Sequence, residues 1–246
     1  LNRNRLFDDI RRFSKEYGNV FTIFVPKPMV IVTDYETVRE AFVTRGDDFI
    51  GRPSNQIDDR ISFGKNGGVI RSNGDVWKEQ RRTAISILRD FGMGKNLMEE
   101  QVKASIGEYL KYLEKMEDKE TGVDLRWPIQ IMVSNIINET LFGFRYDYDD
   151  CQELMDYVEA FNNFLIDSSK SKLRLLVMMC PWIYKIPIIG HYALGQFINK
   201  FLECNNFIVR RVQGASESYS ADTEPGCFVQ AYLQRMSREK NEHSSL

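Results

Sequence analysis

No run in the 246 residues approaches the ~18 to 20 apolar positions that a membrane-spanning helix needs, so the chain offers no transmembrane candidate. Histidine is limited to His191 and His243, and Cys151, Cys180, Cys204 and Cys227 stand far apart without a C-x-x-C. That leaves no zinc-site spacing and reads as free thiols in a reducing compartment. A net charge of −2 and a pI near 5.9 lack the basic excess of a general nucleic-acid binder. Gly64, Gly67 and Gly68 are not followed by G-K-[ST], which argues against a phosphate loop. The first residue is not Met, so the chain is expected to begin inside something longer.

One stretch carries residue types that folding alone does not explain, FGKNGGVIRSNGDVWKEQRRTAISILRDFGMGK from Phe63 to Lys95. Ser72-Asn73-Gly74-Asp75 is a turn cluster that supplies a helix start, and apolar periodicity follows to about Asp90. Trp77, Arg81, Ala84, Ile85 and Leu88 share one face of that helix, which places a guanidinium inside an apolar stripe. A buried guanidinium keeps its proton and requires an anion of good geometry, and the Trp77 indole N–H is a second donor on the same face. Such a pair can grip a carboxylate-bearing ligand; a core Asp or Glu opposite Arg81 is the plainer alternative. Lys78, Arg82 and Arg89 form a second, basic stripe, continued by Phe91, Met93 and Lys95 in a Gly-punctuated turn. Between Lys65 and Lys95 there are seven Lys or Arg against three Asp or Glu, which favours an acidic partner over plain solvated surface.

The rest of the chain reads as mostly helical with a small β-sheet. Leu6, Ile10 and Phe13 mark an amphipathic helix ending at Gly18. VFTIFV from Val20 and MVIVT from Met29, joined through Pro26-Lys27-Pro28, read as a β-hairpin. Asp34 caps a helix to about Thr44. A long Gly-rich loop from Phe49 to Gly74 has no period, and loops of that length are usually functional or disordered. Asn96 to about Lys119 is a long amphipathic helix with Leu97, Val102, Ile106, Tyr109, Leu110 and Leu113 on its expected buried side. Val123-Asp124-Leu125 is a short strand candidate. Trp127-Pro128 opens a helix so apolar that burial all round is expected, and its Asn138-Glu139-Thr140 sequon is expected to go unused. Further helices are expected from Tyr148 to Ser169, from His191 to about Val212, and from Cys227 to about Lys240. Leu173 to Ile189 is apolar but interrupted by Pro181 and Pro187, too broken to span a membrane.

The Phe63–Lys95 stretch resembles the end of the B–C loop and helix C of a cytochrome P-450 of the animal microsomal drug- and steroid-metabolising kind. The W-x-x-x-R pair, Trp77 and Arg81, is embedded in SNG-x-x-WK-x-x-RR and DFGMGK. Upstream, Phe49-Ile50-Gly51-Arg52-Pro53 resembles that family's F-x-x-R-P. The element order agrees over essentially the whole chain, which corresponds to the N-terminal half of the fold.

The resemblance implies a single partial domain over 1–246, mainly α with a small β-sheet. About 1–48 would be a helix and β-hairpin region, 49–74 a substrate loop, and 75–246 a helical region. The implied cofactor is heme b, with Trp77, Arg81 and Lys65 at its propionates and an iron-ligating cysteine outside this sequence. Val69, Ile70 and Arg71 would face a small lipophilic substrate; Arg71 departs from relatives, which often carry an apolar or aromatic residue there. Lys78, Arg82, Arg89, Phe91, Met93 and Lys95 would face an NADPH-dependent flavoprotein reductase, with cytochrome b5 a second candidate partner. The implied location is the cytosolic face of the endoplasmic reticulum membrane, through a missing N-terminal anchor and the Leu173–Ile189 region. The implied reaction is hydroxylation with oxygen. A truncated fragment or interaction protein that does not bind haem stably is the alternative, because the E-x-x-R pair and the thiolate loop are not in this sequence; an unrelated all-α interaction domain stands further off.

Overall fold

Leu6, Ile10 and Phe13 recur at helical spacing, and they form helix α1, Leu6–Tyr17, with Asp8 and Asp9 in its first turn and Lys15 in its last, matching the helix dipole. The computed structural model describes residues 6–24, 27–52, 67–116, 122–170, 183, 186–220 and 223–244. Lys65 and Cys180 lie outside the described residues, as does most of the 173–189 stretch. The chain divides into two compact units, one of Leu1–Trp77 with Asp167–Ile198, the other of Lys78–Ile166 with Asn199–Leu246.

In the first unit α1 is followed by the expected hairpin. Strands β1, Val20–Phe24, and β2, Pro28–Val32, pair antiparallel with Val20 opposite Val32 and Phe24 opposite Pro28. The Phe13 ring meets Phe21 edge-on at 6.1 Å between centroids, and Phe21 is the buried residue of β1. Asp34 caps helix α2, Tyr35–Arg39, accepting from both the Thr37 N–H and the Thr37 hydroxyl at 3.0 Å. Those bonds hold its carboxyl below the usual carboxylate range. The backbone then continues through a π-helical turn, Glu40–Thr44, and a 3₁₀ turn, Gly46–Phe49.

Helix α3, Gly74–Asp90, begins in the first unit and continues into the second. The second unit adds α4, Asn96–Lys115, α5, Arg126–Phe142, α6, Gln152–Lys170, the C-terminal part of α7, Pro187–Glu217, and α8, Phe228–Ser244. Its core is Ile131, Leu154, Met155 and Phe207, with Tyr146, Tyr148, Cys151, Tyr157, Val158 and Ile208 packed against it. Helix α5 stops at Gly143, whose φ of 79° is left-handed and whose N–H bonds back to the Asn138 and Glu139 carbonyls at 3.1 Å.

Three expectations need correction. Val123-Asp124-Leu125 is not a strand; Asp124 instead accepts from the Arg126 N–H at 2.9 Å at the start of α5. Helix α5 is not buried all round, because Ile129, Val133 and Ile137, one turn apart, are 41%, 49% and 53% exposed. The buried residue of α4 is Ser105, whereas Leu97, Ile106 and Leu110 are exposed. Polar chemistry decides that face, since the Ser105 hydroxyl and Glu108 carboxylate receive the Arg145 guanidinium at 2.9 and 2.6 Å. By contrast, Asn138 is buried mid-helix, which closes the sequon to a glycan in the folded chain.

Candidate functional site

The segment from Gly67 to Asn73 and the first turn of α3 form one hydrogen-bonded unit. Gly74 takes φ 61°, a left-handed value open to glycine, and lets the chain turn directly into the helix. Ser72, fully buried, donates its hydroxyl to the Gly68 carbonyl. The Asn73 side chain accepts from the Arg52 N–H and donates to the Arg52 carbonyl at 3.1 Å. This ties Arg52 to the helix start. Trp77, half-buried, donates its indole N–H to the Val69 carbonyl at 3.1 Å. These bonds leave Val69 43% and Ile70 78% exposed, and Arg71 is exposed beside them.

Arg81 does not lie in a buried face as the helical wheel suggests; it is exposed. The buried residue of α3 is Ile87. At ~100° per residue Arg81 points about 120° away from it, and the inward side is continued by half-buried Gln80, Thr83 and Ala84. Gln80 accepts the Tyr232 hydroxyl of α8 at 2.7 Å, which anchors that side. Lys78, Arg82, Arg89 and Lys95 are exposed, while Phe91 and Met93 are half-buried and hold the turn after α3.

Sequence reasoning missed a polar network in the second unit. Arg145 binds Glu139 at 2.9 Å and Glu108 at 2.6 Å, and the Asn135 amide brackets the Tyr146 main chain with two bonds of 2.8 Å. Arg211 bonds Glu153 and lies over the rings of Phe144, Tyr146 and Phe207 at 4.8, 5.3 and 5.3 Å. Beside this network a cleft of about 420 Å³ is lined by residues 108–115 of α4 and 145–149, among them Tyr112 and Tyr148, stacked at 4.6 Å. Burial pushes the Tyr148 hydroxyl up to about 12. None of the residues singled out from the sequence lines this cleft. The one signal for the network was the aromatic and charged alternation Phe144-Arg145-Tyr146-Asp147-Tyr148.

Among the described residues no group of three or more His, Cys, Asp or Glu is placed to hold a metal ion. Burial raises the Cys151 and Cys204 thiols, and Cys227 is 1% exposed. Cys204 and Cys227 lack the access, and Cys151 the lowered pKa, that a thiolate ligand needs. The exposed Arg81 guanidinium on α3 is of the kind that suits a carboxylate of a large cofactor, while the Trp77 ring N–H is donated to the Val69 carbonyl.

A helix, an antiparallel hairpin, a turn tied by a hydrogen bond to a W-x-x-x-R helix and then a succession of helices define a mainly α protein with a small β-sheet. The family model for cytochrome P450 matches residues 1–246. The chain is 32% identical to cytochrome P450 2F2 of Mus musculus over 98% of its length and 48% of that protein's. It is 33% identical to cytochrome P450 2C11 of Rattus norvegicus, over 96% and 45% of the two chains. With cytochrome P450 2C55 of Mus musculus the identity is 36%, over 94% and 46%. The chain belongs to the cytochrome P450 family, whose enzymes are monooxygenases that carry haem on a cysteine thiolate. It spans about half the length of the curated relatives it matches.

Proposed function

We propose that this chain supplies the substrate loop and the propionate-binding helix of a haem-dependent monooxygenase that hydroxylates small lipophilic molecules. Oxygen is the oxidant, and an NADPH-dependent flavoprotein reductase delivers the electrons. The observation that carries this reading is the W-x-x-x-R pair of α3 joined by hydrogen bonds to a loop that presents apolar side chains. Haem, when bound, supplies oxygen activation that depends on an axial cysteine thiolate, and that cysteine comes from outside these residues.

Each of the chain's own residues has a part. Arg81, always protonated, offers a planar fork to a propionate carboxylate. Lys65 stands as a further donor at the same group, and Trp77 would join it on exchanging the bond that its one N–H makes to the Val69 carbonyl. Val69 and Ile70 offer apolar surface to the substrate, with Arg71 at its edge. Lys78, Arg82, Arg89 and Lys95 give α3 and the following turn a basic surface that steers an acidic reductase, or cytochrome b5, into register; Phe91 and Met93 shape that turn. The working location is the cytosolic face of the endoplasmic reticulum membrane, with the 173–189 stretch against the lipid surface. Among the described residues no helix is long and apolar enough to cross the membrane.

Haem retention with and without Arg81 tests this reading. In a full-length P450 protein that carries these residues, Arg81→Ala should weaken retention about tenfold or more, the scale of a lost hydrogen bond to a charged group. The reduced carbon monoxide complex should keep its thiolate character. Retention indifferent to Arg81 would remove the propionate role. A thiolate-type spectrum from the 246 residues alone would show that one of their own cysteines binds iron.

A further inference from the structure

The cleft of about 420 Å³ in the second unit has the size of a small-molecule site, ~300 to 1,000 Å³. One wall is the C-terminal end of α4, the other the 145–149 segment that follows α5. Two of its charges are spent on the fold, since Arg145 binds Glu108 at 2.6 Å and Glu139 at 2.9 Å. The others are not. Lys111 and Lys115 are exposed on α4 one turn apart, and neither forms an ion pair among the described residues. Like charges at that spacing repel, so an anion shared by the two is favoured. On the loop wall Asp147 and Asp149 are exposed and likewise form no ion pair among the described residues. Asp147 accepts the Asp149 N–H at 3.2 Å, which keeps both carboxylates on one turn. Each wall also supplies one ring of the stacked pair Tyr112 and Tyr148. The Tyr148 hydroxyl is buried with no hydrogen-bond partner among the described residues, a cost that the fold carries there.

We propose that this cleft binds a small aromatic zwitterion of the size of an aromatic amino acid, its acid at Lys111 and Lys115, its ammonium at Asp147 and Asp149, and its ring against the tyrosine pair. A simple anion gains the lysines but meets the aspartates, and a simple cation meets the reverse. A molecule with both charges satisfies both walls, and like-charge repulsion rejects the others. The tyrosines add a preference for a flat ring over an aliphatic chain. No residue of α3 or of the loop before it takes part, so the site stands whether or not the proposed function does.

Isothermal titration of the 246-residue chain tests it with three probes that share one indole: L-tryptophan, tryptamine, which lacks the acid, and indole-3-propionate, which lacks the ammonium. L-Tryptophan should bind saturably, and each single-charge probe about 3- to 10-fold more weakly, the contribution of one charge-assisted contact at a partly open site. Lys111→Gln combined with Lys115→Gln should weaken L-tryptophan and indole-3-propionate by that factor and spare tryptamine. Asp149→Asn should weaken L-tryptophan and tryptamine and spare indole-3-propionate. All three positions are exposed, so the variants should keep the fold. Amide hydrogen exchange supplies the location: L-tryptophan should slow it over 108–115 and 145–149, in this chain and in a full-length P450 protein that carries these residues. Absence of saturable binding, substitutions that weaken all three probes alike, or protection confined to other segments would each overturn the proposal.

Discussion

Arg145 and Arg81 carry the same charge in opposite surroundings. The Arg145 side chain is 23% exposed and closed in by Glu139, Glu108 and Ser105, beside an Asn135 amide that satisfies both main-chain groups of Tyr146. Arg81 stands exposed on a helix whose inward side is held elsewhere, by Ile87 and the Gln80 to Tyr232 bond. The difference separates a charge that the fold encloses from a charge at its surface. Arg145 holds α4, α5 and the following loop in register. Helix α3, in contrast, is anchored on its inward side by Ile87 and Gln80, with Arg81 at the surface.

Removing Arg145 should break the comparison hardest. In Arg145→Ala two carboxylates lose their shared cation and the Ser105 hydroxyl its donor. The expected loss is about 2 to 3 kcal/mol, moderated by the partial exposure of Glu108 and Glu139. Urea unfolding measures it as a lower midpoint at unchanged slope. Arg145→Lys should recover only part, because one ammonium cannot reproduce a planar fork across separate acceptors. A loss below about 0.5 kcal/mol would place the network among ordinary surface pairs.

Gly143→Ala comes next and probes the same region through its backbone. The residue holds φ 79°, and a Cβ there would stand 3.4 Å from the Cys227 Cβ. Left-handed backbone costs a residue with a side chain about 1 to 2 kcal/mol, while the Cys227 contact is tight without forcing a shift of the main chain. Gly143→Asn should cost less, since Asn tolerates that conformation. Thermal unfolding of the two variants side by side reads the difference. Equal losses would assign the cost to the Cys227 contact instead.

What the sequence made legible follows from how local each cause is. The start of α3 was readable because Ser72 and Gly74 act close to the helix start, whereas the link from Asn73 to Arg52 reaches 21 residues back and was not. The hairpin was readable because its strands are adjacent in the chain, and Asp34 because its partner, Thr37, is three residues away. The face of α4 was not, because Ser105 is claimed by an arginine forty residues later. An apolar count favoured Leu97, Ile106 and Leu110, and the charge network overruled it. The same reason hid the Asn135 bracket. Arg81 was misplaced for a different reason: a wheel assigns a face from Trp77 and Leu88, while the actual centre, Ile87, lies to one side of both. The propionate role came from the family resemblance, not from periodicity.

The smallest expected effect on stability is the sharpest test of the contrast. Because Arg81 is exposed, and an ion pair or hydrogen bond at the surface contributes little, Arg81→Ala should change unfolding free energy by no more than about 1 kcal/mol. Alanine also carries a slightly better helix propensity, which offsets part of any lost contact. The same substitution should weaken haem retention far more than it weakens the fold. Calorimetry on the 246-residue chain, set beside haem retention in a full-length P450 protein that carries it, puts the two effects on one residue. A stability loss as large as that of Arg145→Ala would mean that the fold consumes Arg81 as well. Its effect on haem would then follow from unfolding, and the assignment of a propionate site to α3 would lose its basis.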